Sequence, residues 1–223
     1  DERVGKIRHI DTLSYDEIQI NRKFYLSGKK ELELLKRIRL SASDSYVRVK
    51  NGFATLFDDV FIGELPFMEY TIPVLKASTG KWSRAFFPYD EKGSPLTYEL
   101  LSECESVCRY LEDHAERLLK GRKRSETPDW FLYGRTQALK DVCILKYAVN
   151  TCIKGVGSIK LTEVPPGCGL YSGLYILPDK GVTFDMLDRI IRNEEFIRYV
   201  SLLKNYKSGG YYTFNSKDLE LYI

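Results

Sequence analysis

"LYSGLYILPDKGVTFDMLDRIIRNEEFIRYVSLLKNY", residues 170–206, changes its periodicity halfway along. The first eight residues, "LYSGLYIL", are apolar and aromatic and read as a strand. From Thr183 the apolar positions recur at helical spacing, and Thr183 and Asn193 stand where two successive helices need N-caps. Working outward, "DVCILKYAV" (141–149) reads as a strand of the buried kind, and "SIKLTEV" (158–164) as another before the Pro165-Pro166-Gly167 turn. In "TYELLSECESVCRYLEDHAERLLKG" (97–121), Leu100, Leu101, Cys104, Val107, Cys108, Leu111, Ala115, Leu118 and Leu119 share one face of a helix that Gly121 is placed to end.

Nearer the start, "SGKKELELLKRI" (27–38) follows an N-cap serine with Leu32, Leu35 and Ile38 at helical spacing. "SYVRVKNGFATLFDDVFIGEL" (45–65) reads as strand, Asn51-Gly52 turn, strand. Residues 66–95, with four prolines, read as short strands and turns. These elements predict an α+β fold, a mixed β-sheet with several packed helices. Residues 1–44 are expected to form a lead-in or linker with a short helix, and 45–223 the main domain, with 45–95 as a smaller lobe.

The chain has 223 residues, 43% hydrophobic, enough to bury a core. Lys and Arg exceed Asp and Glu by only 34 to 31, which identifies no partner. Their distribution is more telling. Between residues 117 and 154 lie nine Lys or Arg and three acids; between 196 and 217 lie four basic residues and no acid. Such strips suit a polyanion, because neutralised phosphates release counterions, and equally suit solvated helix faces. Five cysteines without regular spacing point to a reducing, intracellular compartment. No apolar run approaches the ~18 residues of a membrane span, and no signal peptide opens the chain. It begins Asp1-Glu2-Arg3 without a methionine, so an excerpt of a longer protein is expected.

Catalytic chemistry is hard to find. His9 and His114 neighbour no nucleophile. Cys104 and Cys108 share a helix with His114, but a zinc site needs four ligands with paired short spacings. "KGVGS" (154–158) lacks the third glycine and the following helix of a nucleotide loop, and reads as a hairpin turn.

Five blocks in order resemble the TaqI-like C-terminal specificity domain of adenine-specific DNA methyltransferases, enzymes of bacterial restriction–modification systems. They are "VRVKNGFATLFDDVFI" (47–62), "FPYDEKGSPL" (87–96) leading into the long helix, "WFLYGRTQAL" (130–139), "GLYILPD" (173–179) with its two helices, and "SGGYYTFNSKDLE" (208–220). The resemblance spans about residues 45–223. It implies a domain that recognises double-stranded DNA, partnered by an N-terminal methyltransferase domain that binds S-adenosylmethionine and methylates a flipped adenine. "VPPG" (164–167) has the double proline of that catalytic motif without the preceding Asn/Asp or the following aromatic. No catalytic residue, metal or cofactor is therefore assigned to this chain; a cytoplasmic location is expected.

Within the resemblance, Lys50 and Asn51 at the first turn are expected to touch DNA. Arg135 and Gln137 suit guanine and adenine edges in a major groove, or else belong to a buried polar network. Lys204, Lys207 and Lys217 suit phosphates, Gly209 and Gly210 permit close backbone approach, and Tyr211, Thr213 and Ser216 donate to phosphate or sugar. Asn215 could pair with an adenine edge. The competing reading of the terminal stretch is a β-hairpin whose tyrosines pack on the last helix. "GRKR" (121–124) reads as helix-end charge that could also grip phosphate. The alternative function is a protein–protein docking module of a restriction–modification assembly, which exposed tyrosines would suit.

Overall fold

The computed structural model describes residues 9–40, 46–120, 129–179 and 181–223; "GRKR" lies outside them. The described chain runs α1 (Tyr15–Ile18), β1 (Gln19–Ile20), β2 (Lys23–Phe24), α2 (Lys29–Leu40), β3 (Val47–Asn51) and α3 (Asp58–Phe61). There follow β4 (Ile62–Gly63), β5 (Thr71–Lys76), β6 (Lys81–Phe86), α4 (Tyr98–Ser102), α5 (Glu105–Lys120), β7 (Lys146–Val149) and β8 (Cys152–Ile153). The last third holds β9 (Leu161–Val164), β10 (Gly169–Tyr171), β11 (Leu174–Pro178), α6 (Phe184–Ile191), α7 (Glu194–Leu202), β12 (Tyr206–Lys207), β13 (Tyr211–Thr213) and α8 (Ser216–Tyr222). This is the α+β fold that the periodicities predict.

Two four-stranded sheets lie back to back. The first, ordered β3-β11-β7-β9, is antiparallel throughout; the second, β10-β5-β6-β4, contains one parallel pair, β10 with β5. Strand alternation sends successive side chains to opposite faces. Along β11, Leu174 and Ile176 join the helix-side core with α2, α6, α7 and α8, while Tyr175 and Leu177 face a smaller core shared with Leu75 and Leu170 of the second sheet. That sheet turns its other face, with Val74, Phe86 and Tyr171, to an aromatic core under α4, α5 and residues 131–142. Strands covered on both faces have no polar side to offer, which explains the unbroken apolar run in β11.

Four sequence expectations are corrected. The strand read across 170–177 is two strands in different sheets. The chain crosses between them at Ser172, in left-handed backbone (φ 55°), and Gly173, where a Cβ would come within 2.4 Å of Ala77 Cβ and 2.8 Å of Val149 O. Hydrophobicity alone carries no sign of that crossing.

The strand read across 141–149 begins only at Lys146. Residues 139–145 instead curl so that the carbonyls of Asp141, Val142 and Ile144 accept hydrogen bonds from the Lys146 ammonium at 2.7, 3.3 and 2.9 Å. The helix read across 97–121 is two, Thr97 capping the first and Cys104 N closing its end onto Leu101 O (3.2 Å). Leu101 and Val107 thereby reach the same core, while Leu100 is exposed. Finally, the strand read after the Asn51-Gly52 turn is broken by the helix α3, and only Ile62–Gly63 of it forms a strand, β4. Residues 154–158 lie, as read, in the connection of a hairpin, whose strands are β7 and β9, while β8 within that connection pairs with β13.

Residues 9–40 are more ordered than a lead-in reading suggests. Ile20, Tyr25, Leu32, Leu34 and Leu35 enter the helix-side core, and Glu31, Arg37 and Arg39 form ion pairs with Arg198, Glu195 and Asp218. Thr183 and Asn193 accept from Met186 N and Phe196 N, the caps their sequence positions predict.

Candidate nucleic-acid interface

The end of β3 and the segment 134–141 come together although more than 80 residues separate them. Gly134 N and Arg135 N donate to Thr55 O and Ala54 O at 3.1 and 3.2 Å, so "YGRTQ" is laced onto "GFAT". Tyr133 fixes the lace from beneath: its hydroxyl donates to Phe86 O and its backbone N–H donates to Tyr89 Oη, both at 2.6 Å. The Gln137 amide donates to Gly52 O at 2.6 Å.

These segments and the start of α8 enclose an open polar groove of about 420 Å³, whose walls include Lys50, Asn51, Gln137, Lys140, Asp141 and Ser216. Four of the residues singled out in the sequence thus meet in one place. Arg135 beside it and Lys217, in the first turn of α8, are exposed.

A buried polar network supports the groove floor. Asp141 Oδ2 accepts from Lys50 Nζ (2.7 Å) and from the hydroxyl of buried Tyr175 (2.6 Å). Burial opposes ionisation of Asp141, but the bonds from Lys50 and Tyr175 outweigh it and hold the carboxyl below its usual range. The Lys146 ammonium, on a residue only 2% exposed, is pushed down to about 8 by burial. Lys50 is therefore a cation whose charge is already matched.

The terminal stretch is built differently. β12 and β13 form a hairpin, pairing Tyr206 with Tyr212 and Lys207 with Tyr211, and its tip needs Gly209 and Gly210 because both have positive φ (77° and 76°). Lys204 and Lys207 are exposed. Lys154 Nζ sits 5.9 Å from the centre of the Tyr211 ring. Thr213 donates inward, its N–H and hydroxyl both to Asn205 O (2.8 and 3.3 Å). Phe214 is core, 5.3 Å from Phe196. Asn215 caps α8: its Oδ1 accepts from Asp218 N (3.0 Å), and its N–H donates to Asp218 Oδ2 (3.1 Å). The cap thus engages one of the two acceptor positions of Asn215 Oδ1.

Sequence reading counted Lys140, Asp141, Lys146 and Lys154 only as members of a charged strip, assigned them no individual role, and missed Tyr175. Only Lys146 left a signal, a charge inside the apolar run "CILKYAV" that must find partners if buried.

Among the described residues, no three His, Cys, Asp or Glu side chains are grouped to hold a metal, and no helix is long and apolar enough to cross a membrane. Pro165 and Pro166 are exposed in a turn where Cys168 N donates to Pro165 O (3.2 Å). Compared with known proteins, the chain matches no family model and no curated protein.

Proposed function

We propose that this chain is the sequence-reading, DNA-binding domain of a larger adenine-specific, S-adenosylmethionine-dependent DNA methyltransferase of a restriction–modification system, working in the bacterial cytoplasm. The observation that carries the reading is the groove: Lys50, Asn51, Gln137 and Ser216, chosen from motifs far apart in sequence, line one polar cleft. Its walls offer amides and an ammonium held in fixed positions, the donor and acceptor chemistry that base edges present in a major groove. The hairpin and its start offer Lys204 and Lys207, which form no ion pair among the described residues, and glycine backbone, all of which suit phosphates. The cofactor and the methyl transfer belong to a separate domain of the parent, which forms the other wall of the DNA cleft while the target adenine swings out, at a cost of a few kcal/mol.

The test is fluorescence anisotropy of the chain with a random-sequence duplex at about 50 and about 200 mM salt, across which affinity should fall by an order of magnitude or more. A second reading, a docking module for another subunit, draws on the exposed rings of Tyr206 and Tyr211. It predicts no duplex binding, and salt-insensitive capture of the partner subunit.

A further inference from the structure

A second pocket, of about 170 Å³, opens where α7 ends and the β12–β13 hairpin begins. Three cations line it from three parts of the chain: Lys23 of β2, Arg39 of α2 and Lys204. Asp218 is the single acid in its wall, and both carboxylate oxygens are taken, Oδ1 by Arg39 Nη1 (3.1 Å) and Oδ2 by Asn215 N (3.1 Å). One negative charge thus faces three positive ones.

Arg39 is the unusual member. Its side chain is only 9% exposed, packed with its guanidinium carbon 5.9 Å from the centre of the Tyr25 ring. Nη1 also bonds Tyr199 Oη at 3.3 Å, yet its Nε–H is buried with no hydrogen-bond partner among the described residues. A buried donor without an acceptor is destabilising in itself. Lys204 adds a second departure from an unstrained fold, being a non-glycine residue with φ 60°. Asn205 and Asn215 add polar groups to the wall, and Phe24, Tyr25 and Leu203 complete it.

We infer that this pocket is a binding site for an oxyanion of the phosphate class. Such a ligand balances the excess charge and brings oxygen acceptors to a site rich in N–H donors. The volume suits one phosphoryl group. The phosphoryl group comes either from a DNA backbone, continuing the hairpin's proposed grip, or from free phosphate; the site itself is independent of the DNA reading.

The experiment is thermal unfolding of the chain in inorganic phosphate against sodium chloride of equal ionic strength, for the wild type and the variants Lys23→Ala and Lys204→Gly. Both positions are exposed, and Lys204→Gly removes the ammonium while relieving the backbone, so neither variant threatens the fold. Phosphate at about ten times its dissociation constant should raise the wild-type midpoint by about 3 °C over chloride and each variant's by less than half of that. Equal midpoints in phosphate and chloride, or variants that respond like the wild type, would overturn the site. Duplex binding then separates the sources. Weaker binding by Lys23→Ala, with a salt slope reduced by about one, assigns a backbone phosphate; unchanged duplex binding, or none in the wild type, with the phosphate response intact assigns a free one.

Discussion

The groove and the hairpin carry comparable residues in opposite states. In the groove, Lys50 is held by Asp141, and Gln137 by Gly52 O. On the hairpin, Lys207 is exposed on a two-residue strand beside a double-glycine tip. A lysine already matched by a carboxylate adds little net charge to a surface but holds its N–H bonds in a defined direction. An exposed lysine does the reverse. Within the proposed function, the groove is suited to discriminate between bases and the hairpin to hold the duplex whatever its sequence.

The comparison breaks most severely at the groove floor. Asp141→Ala should destabilise the chain by about 2 kcal/mol in urea denaturation, chiefly because it leaves the buried Tyr175 hydroxyl without its acceptor and also removes the partner of Lys50. No single hairpin substitution should approach that. Next comes pH. With its ammonium at about 8 in the fold against 10.5 unfolded, Lys146 lets the unfolded chain bind more protons between those values. Stability should therefore rise from about pH 8 toward about pH 10, and the variant Lys146→Met should lack the rise. Above about pH 10 the trend should reverse, since buried Tyr175 keeps its proton where an unfolded tyrosine loses it.

Two binding substitutions sharpen the comparison. Arg135→Ala should relax discrimination at one base pair by about 1–3 kcal/mol while leaving random-duplex affinity nearly unchanged. Lys207→Ala should weaken binding to all sequences alike, by less than tenfold, and reduce the salt slope by about one. If the two patterns were exchanged, the division of labour between groove and hairpin would be wrong.

What sequence could reveal follows the same division. The caps Thr183 and Asn193, the inward pair Val47 and Val49, and the Gly209-Gly210 turn rest on local chemistry and were legible. The groove was legible only as scattered polar residues near turns, since bringing residue 50 to residue 137 depends on tertiary lacing. The Asp141 network was only half legible: Lys146 stands out as a charge inside "CILKYAV", but nothing local shows that it draws residues 141–144 into a loop around itself and so places Asp141 outside the strand. Asn215 shows the converse: an exposed amide near basic residues resembles a reader of bases, but one residue before a helix its oxygen serves as the cap.

The crossing at Ser172–Gly173 has a mechanical consequence. β10 is tied by parallel pairing to β5, and two residues later β11 occupies the interior of the other sheet between β3 and β7. Force or thermal motion that loosens one sheet is transmitted through a linker too short and too closely packed to act as a hinge. The two layers should melt in a single cooperative transition, the slowest-exchanging amides of both sheets sharing one free energy of opening, and a ligand seated in the groove should protect both sheets at once.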